Sequence, residues 1–185
     1  MTQPQDSTQA LAALAASPAT ATVPALWAAL PADERRRALA LAIKGDKALR
    51  PVLVALLRES PRYRGFRPQS FNSWTADQFA DAFKSQKNLS PDVMQSGLIA
   101  LHVTDRGEML GAFLDSLGVP HEQGVIDELP QGFAPDEATL GRAADELAAR
   151  FPREQVTVYF LTLLVLEPQV WSGLAAWLGR QAPVA

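Results

Sequence analysis

The residues best suited to chemistry lie close together, because the chain's two histidines, His102 and His121, both fall in LIALHVTDRGEMLGAFLDSLGVPHEQGVIDE among acidic side chains. His102, Asp105 and Glu108 follow one another at intervals of three, and Glu122 adjoins His121. Imidazole and carboxylate are the ligands a divalent cation takes, and also the groups that exchange protons in general acid/base catalysis. His102, Asp105, His121 and Glu122 therefore form a candidate metal or acid/base site. In helical metal motifs, however, the ligands share one continuous helix, as in H-E-x-x-H, whereas here a cap at Thr104 or Asp105 is expected to turn the chain after His102. The competing structural reading gives Asp105 and Glu108 to helix capping, His102 to a last helical turn and His121 to a loop.

A second constellation mixes guanidinium groups with flat rings. In SPRYRGFRPQSFNSW and the turn before it, Arg58, Arg62, Arg64 and Arg67 alternate with Tyr63, Phe66, Phe71 and Trp74. Arginine forks bind carboxylates and phosphates, and aromatic faces stack on bases or pack against apolar side chains. The segment thus suits an acidic protein partner or, alternatively, a nucleic acid. In a purely structural role, the rings would instead anchor a long loop to the core while the arginines pair with nearby carboxylates.

The rest of the sequence removes several chemistries. There is no cysteine, so disulfides, thiol catalysis and thiolate metal sites are excluded, and a reducing compartment is expected. Neither G-x-G-x-x-G nor G-x-x-x-x-G-K-[ST] occurs, nor does a G-x-S-x-G elbow, and no cofactor is called for. Adjacent carboxylates at Asp33/Glu34, Asp127/Glu128, Asp136/Glu137 and Asp145/Glu146 fall in first turns, loops or solvated faces and read as surface charge. The net charge is −3 and the isoelectric point about 5.4, which gives no global positive field to attract a phosphate backbone. Gly107 and Gly111, four apart, predict the close crossing of two helices.

The elements that must position these residues are helical. Apolar side chains recur at three- and four-residue intervals in Leu26, Trp27 and Leu30, again through Ile43, and from Leu49 to Leu57. Pro31 with Asp33 and Glu34 reads as a first helical turn, and Lys44 to Asp46 as a break. Thr75 and Gln78 have capping-box spacing, Ser90 precedes another start, Asp105 with Glu108 a further one, and Gly118 with Pro120 a stop. Later helices are expected near 136–150, 154–166 and 169–178. VTVYF, from Val156 to Phe160, could pass for a strand, but a lone strand would leave its backbone unpaired, and LTLLVL suits a buried helix. That apolar run is about half the length of the roughly 20 residues needed to cross a bilayer, and Asp6 with no basic n-region makes a poor secretory signal.

The expectation is an all-α bundle of about eight helices, with residues 1–8 a disordered tail and 9–185 a single domain. A shift of 121 residues aligns Leu26 with Leu147, Pro31 with Pro152, Leu53 with Leu174 and Leu57 with Leu178. Such matches also arise by chance in a chain rich in Ala and Leu. Taken as a duplication, they predict two three-helix units flanking a central helical insertion. The leading functional expectation is a non-catalytic cytoplasmic interaction or scaffolding domain with a protein partner and no membrane. The alternatives are a nucleic-acid-binding loop at 58–74 and an enzyme or metal site at His102/His121.

Overall fold

Thr75 shows how directly local sequence becomes structure here. Its hydroxyl accepts from the Gln78 N–H at 3.2 Å while the Gln78 side chain accepts from the Thr75 N–H at 2.7 Å, closing the reciprocal cap that starts a helix. The computed structural model describes residues 4–87, 89–126 and 128–181, and among these there is no strand. The chain forms α1 (Pro4–Ala16), α2 (Val23–Ala29), α3 (Ala32–Gly45), α4 (Leu49–Glu59), α5 (Ala76–Phe83) and α6 (Pro91–Asp105). It continues through α7 (Gly107–Ser116), α8 (Glu137–Arg150), α9 (Arg153–Leu166), α10 (Pro168–Trp171) and α11 (Leu174–Gln181).

The all-helical class is as expected, but the count among the described residues is eleven helices rather than about eight. The C-terminal segment is interrupted between Trp171 and Leu174, and at Gly173 α8 packs where a side chain would otherwise stand, since a Cβ there would lie 2.8 Å from Leu140 Cδ1. At the other end α1 already begins at Pro4, inside the stretch expected to be a tail, and residues 1–3 lie outside the described region. Leu11 and Ala15 bury its inner face, and α1 packs against α2, α9 and α11.

Val156 to Phe160 is helix, not strand. Helix α9 sits among α1, α2, α6, α8, α10 and α11, and it buries Val156, Val158, Tyr159, Phe160, Leu161, Thr162 and Leu164, so nearly every face is covered. A helix apolar all round is the form a backbone takes when it must satisfy its own hydrogen bonds inside a core. On the other side α3 packs against α5 and α6, and Trp27 of α2 crosses α6 at Gly97, where a Cβ would stand 2.7 Å from the indole. One hydrophobic cluster runs from Leu11 to Leu178 and joins both ends of the chain. Each fully buried Leu or Phe in it contributes about 1.5–3 kcal/mol before chain entropy is set against it.

Candidate functional site

The arginine and aromatic segment follows α4 as a series of tight turns. Tyr63 and Arg64 N–H groups donate to the Ser60 carbonyl at 3.1 and 3.0 Å, Phe66 N–H donates to Tyr63 at 2.9 Å, and a short 3-10 turn spans Pro68–Phe71. Phe71 is the anchor: it is buried, with ring centroids 4.9 Å from Trp74, 6.4 Å from Tyr63 and 6.5 Å from Phe79 of α5. Arg50 of α4 clamps the far end, donating to the Trp74 carbonyl at 3.1 Å and lying 5.8 Å above Phe79. Tyr63 and Trp74 are half-buried in this stack, so much of the aromatic set holds the loop down.

The remaining groups face outward. Phe66 is 46% exposed although its ring touches both Tyr63 and Phe71. Arg62 lies 5.2 Å over the Tyr63 ring, an arrangement that uses the ring's negative face and leaves the guanidinium fork open. Arg58, Arg62, Arg64 and Arg67 are all exposed, and among the described residues none pairs with a carboxylate. The contrast with α3 is direct. There Arg36 bonds Asp81 at 2.7 Å and Asp77 at 3.3 Å, and Arg37 pairs with Asp105. Between residues 58 and 74 the only acidic side chain is Glu59.

The histidine constellation is not brought together. His102 is buried on α6, where its Nε2 meets Thr162 Oγ1 of α9 at 3.0 Å and its ring packs 5.2 Å from Tyr159. Burial, reinforced by the neighbouring Arg106 guanidinium, pushes its pKa down to about 3. It therefore sits in the last turn of its helix as expected, but as a neutral core residue and not as a cation meeting the helix dipole. An imidazole this hard to protonate is a poor acid or base near neutral pH. Burial also pushes the Tyr159 hydroxyl well above the usual phenol range.

Asp105 ends α6 and pairs with Arg37; it does not cap α7, whose first turn follows Arg106 without a side-chain cap. His121 stands elsewhere, its Nδ1 accepting from the Gly124 N–H at 3.1 Å. The proton must then be on Nε2, which donates to Asp115 Oδ1 at 3.1 Å. Glu122 pairs through its backbone with Val125 and is exposed. Among the described residues no group of three His, Asp or Glu side chains could hold a metal ion, so the four-residue metal candidate is not assembled. Open hollows of about 600 and 590 Å³ meet at Val103, His121 and Gln123.

Gly107 and Gly111 serve a different partner from the helix their spacing predicts. The turn at 121–124 drops onto them: a Cβ on Gly111 would lie 3.1 Å from His121 Cε1, and one on Gly107 3.1 Å from the Gln123 carbonyl. Gly124, at φ +85°, comes closer still, since a Cβ there would meet the Gly107 carbonyl at 2.6 Å. Of the paired carboxylates, Asp136 caps α8 by accepting from Thr139 N–H at 2.7 Å, while Asp127 lies outside the described residues. Glu34 differs from the surface charge it resembles in sequence. It bonds the buried Arg106 at 2.6 Å, and burial raises its pKa despite the pull of that guanidinium.

Sequence reasoning passed over Thr162, Tyr159 and Arg106. One signal was present: Thr162 is a lone hydroxyl inside an apolar run, and a buried hydroxyl needs a partner. Comparison of the chain with protein-family models, with curated proteins and with solved structures finds no match. No helix among the described residues is long and apolar enough to cross a membrane.

Proposed function

We propose that the chain is a non-catalytic protein-interaction domain that docks an acidic segment of a partner on the surface formed by residues 58–74. The observation that carries this reading is the set of four exposed guanidinium groups that, among the described residues, have no carboxylate partner, arranged about a ring cluster whose Phe66 is open to solvent. Arg58, Arg62, Arg64 and Arg67 offer bidentate donors to carboxylates, while Phe66, Tyr63 and Trp74 offer an apolar anchor. The loop is held in place by Phe71 and Arg50, so little ordering entropy is lost on binding. A nucleic acid would use the same groups, but the net charge of −3 supplies no wider positive field. The absence of cysteine supports a reducing compartment such as the cytoplasm.

The two-unit arrangement belongs to the same reading. Moved by 121 residues, the bounds of α3 fall on those of α9, each preceded by a proline at its N-cap, which supports an origin by duplication.

The test is capture from host lysate on the tagged protein, with and without nuclease, beside the variant Arg62→Glu/Arg64→Glu/Arg67→Glu. The expected result is a stoichiometric protein that survives nuclease and is lost with the variant, whose unfolding midpoint stays that of the parent. A partner retained by the variant would remove the loop from the interaction. Material lost to nuclease, with an affinity falling steeply as salt rises, would replace the protein reading by the nucleic-acid one.

A further inference from the structure

Between α6, α7 and α9 the fold leaves a hollow of about 270 Å³, well away in sequence from the arginine loop. Leu110, Leu114, Leu163 and Trp171 line its wall. Ile99, Val103 and Val125 border it as well, and they are three of the five large apolar side chains left exposed among the described residues, so the hollow opens between them. Uncovered apolar surface gathered at the mouth of an apolar hollow is what a small-molecule site presents to water.

The polar groups of the lining divide into those the fold has used and one it has not. Thr162 Oγ1 donates its single proton to the Val158 carbonyl at 2.8 Å and therefore accepts from His102 Nε2 at 3.0 Å. The other imidazole nitrogen, His102 Nδ1, is shut in too deeply for a molecule in the hollow to touch. At the mouth, Val125 exchanges both its backbone hydrogen bonds with Glu122, and the Gly124 N–H donates to His121. The Tyr159 hydroxyl differs. Its residue is 5% exposed, its oxygen belongs to the lining of the hollow, and among the described residues no hydrogen-bond partner meets it. Burial alone raises its pKa, with no bond to a neighbour contributing. It is a neutral O–H, and a buried donor without an acceptor is costly.

We infer that this hollow binds a small uncharged apolar molecule bearing one carbonyl oxygen, which accepts a hydrogen bond from the Tyr159 hydroxyl. A phenol gives its proton more readily than it accepts one, because its oxygen lone pair is drawn into the ring, so the complementary group is an acceptor. A cavity of about 150 Å³ holds benzene, so this one accommodates a ring with a short substituent. The lining carries no cation, and its one carboxylate, Glu167, is exposed at the rim. An anion would therefore lose its hydration without return. The hydroxyl gives the site its discrimination, since a ligand of like shape with no acceptor leaves that proton unpaired and expels water from it.

The experiment titrates acetophenone, and ethylbenzene as a like skeleton without the oxygen, into the full chain and into Tyr159→Phe, both labelled with ¹³C in the Leu and Val methyls. Both compounds are expected to give intermolecular NOEs to Leu110, Leu163 and Val125. In the parent the acetyl methyl of acetophenone should give a further NOE to the Tyr159 ring protons beside the hydroxyl. The variant keeps a ring against His102 and Phe113. It should bind acetophenone about tenfold more weakly and ethylbenzene with unchanged affinity. No NOE to those methyls at millimolar acetophenone would overturn the site. An acetyl group turned away from Tyr159, or an equal change in affinity for the two compounds, would overturn the role given to the hydroxyl.

Discussion

His102 should make the stability of this protein fall steeply with acid. Its ordinary pKa of 6.5 applies in the unfolded chain, and burial beside Tyr159 and Arg106 brings it to about 3 in the fold. The neutral ring is the folded form, so below pH 6.5 the unfolded state takes up a proton that the native state refuses, and stability is lost as pH falls from 6.5 toward 3. At about 1.4 kcal/mol per unit, the loss from this group alone is about 2 kcal/mol at pH 5 and about 3 kcal/mol at pH 4. The assay is urea unfolding between pH 7 and pH 4 on the parent and on His102→Phe. Phenylalanine keeps the ring volume against Tyr159 and leaves Thr162 its bond to the Val158 carbonyl. Its stability curve should lack the His102 component, so that the gap between the two proteins narrows or reverses by about 2 kcal/mol on going from pH 7 to pH 5. Parallel curves for the two proteins would refute the reasoning, because they would mean that His102 titrates alike in folded and unfolded chains.

The buried pair of Glu34 and Arg106 should respond asymmetrically. Arg106 is 5% exposed and its Nε and Nη1 have no partner among the described residues, so Glu34→Gln, which removes the carboxylate bonded to it, should cost about 3–5 kcal/mol in chemical unfolding. Glu34 is 28% exposed and burial already raises its pKa, so once Arg106→Met removes the guanidinium it can take up a proton and the cost should be less, and Glu34→Met/Arg106→Met should recover most of the loss; a Glu34→Gln cost below about 1 kcal/mol would deny the pair its importance. Gly124→Ala should destabilise by more than about 2 kcal/mol, since it adds a collision with the Gly107 carbonyl to the strain of φ +85°. Gly118→Ala, at φ +67° with nothing within 4 Å, should cost only about 1 kcal/mol, and equal costs at the two positions would show that the 121–124 turn does not bear on α7.

What could be read in the sequence was local. Thr75 with Gln78, Asp136 with Thr139 and the prolines before α3 and α9 act over one helical turn, so their spacing alone dictated the helix starts. The apolar run of α9 was legible for the same reason, since composition decides whether a helix can be buried on every side. Partnerships across the fold were not legible. His102 and Thr162 are 60 residues apart and Arg106 and Glu34 72, and nothing in the spacing of either pair marks it. Gly107 and Gly111 were read correctly as a place of close approach, but what approaches is a turn only ten residues further on. The loop arginines and the α3 arginines look alike as sequence. Only the helix packing that brings Asp77, Asp81 and Asp105 to α3 separates the paired from the unpaired.

That separation bears on the choice between catalysis and binding. Acid/base chemistry needs a group that exchanges protons at the working pH and meets solvent or substrate through them. His102 fails the first condition, since desolvation without a nearby carboxylate holds it neutral. His121 has both nitrogens committed, one to a backbone N–H that aligns the 121–124 turn and one to Asp115, and that turn in turn needs the two glycines of α7. Each imidazole is thus consumed by the fold at the positions where the sequence placed its best chemistry. The unconsumed capacity lies elsewhere, in loop guanidinium groups that pair with no carboxylate among the described residues. Exposed, unpaired guanidinium groups about an aromatic anchor are suited to recognising another molecule, and it is on them that the proposal of a binding domain rests.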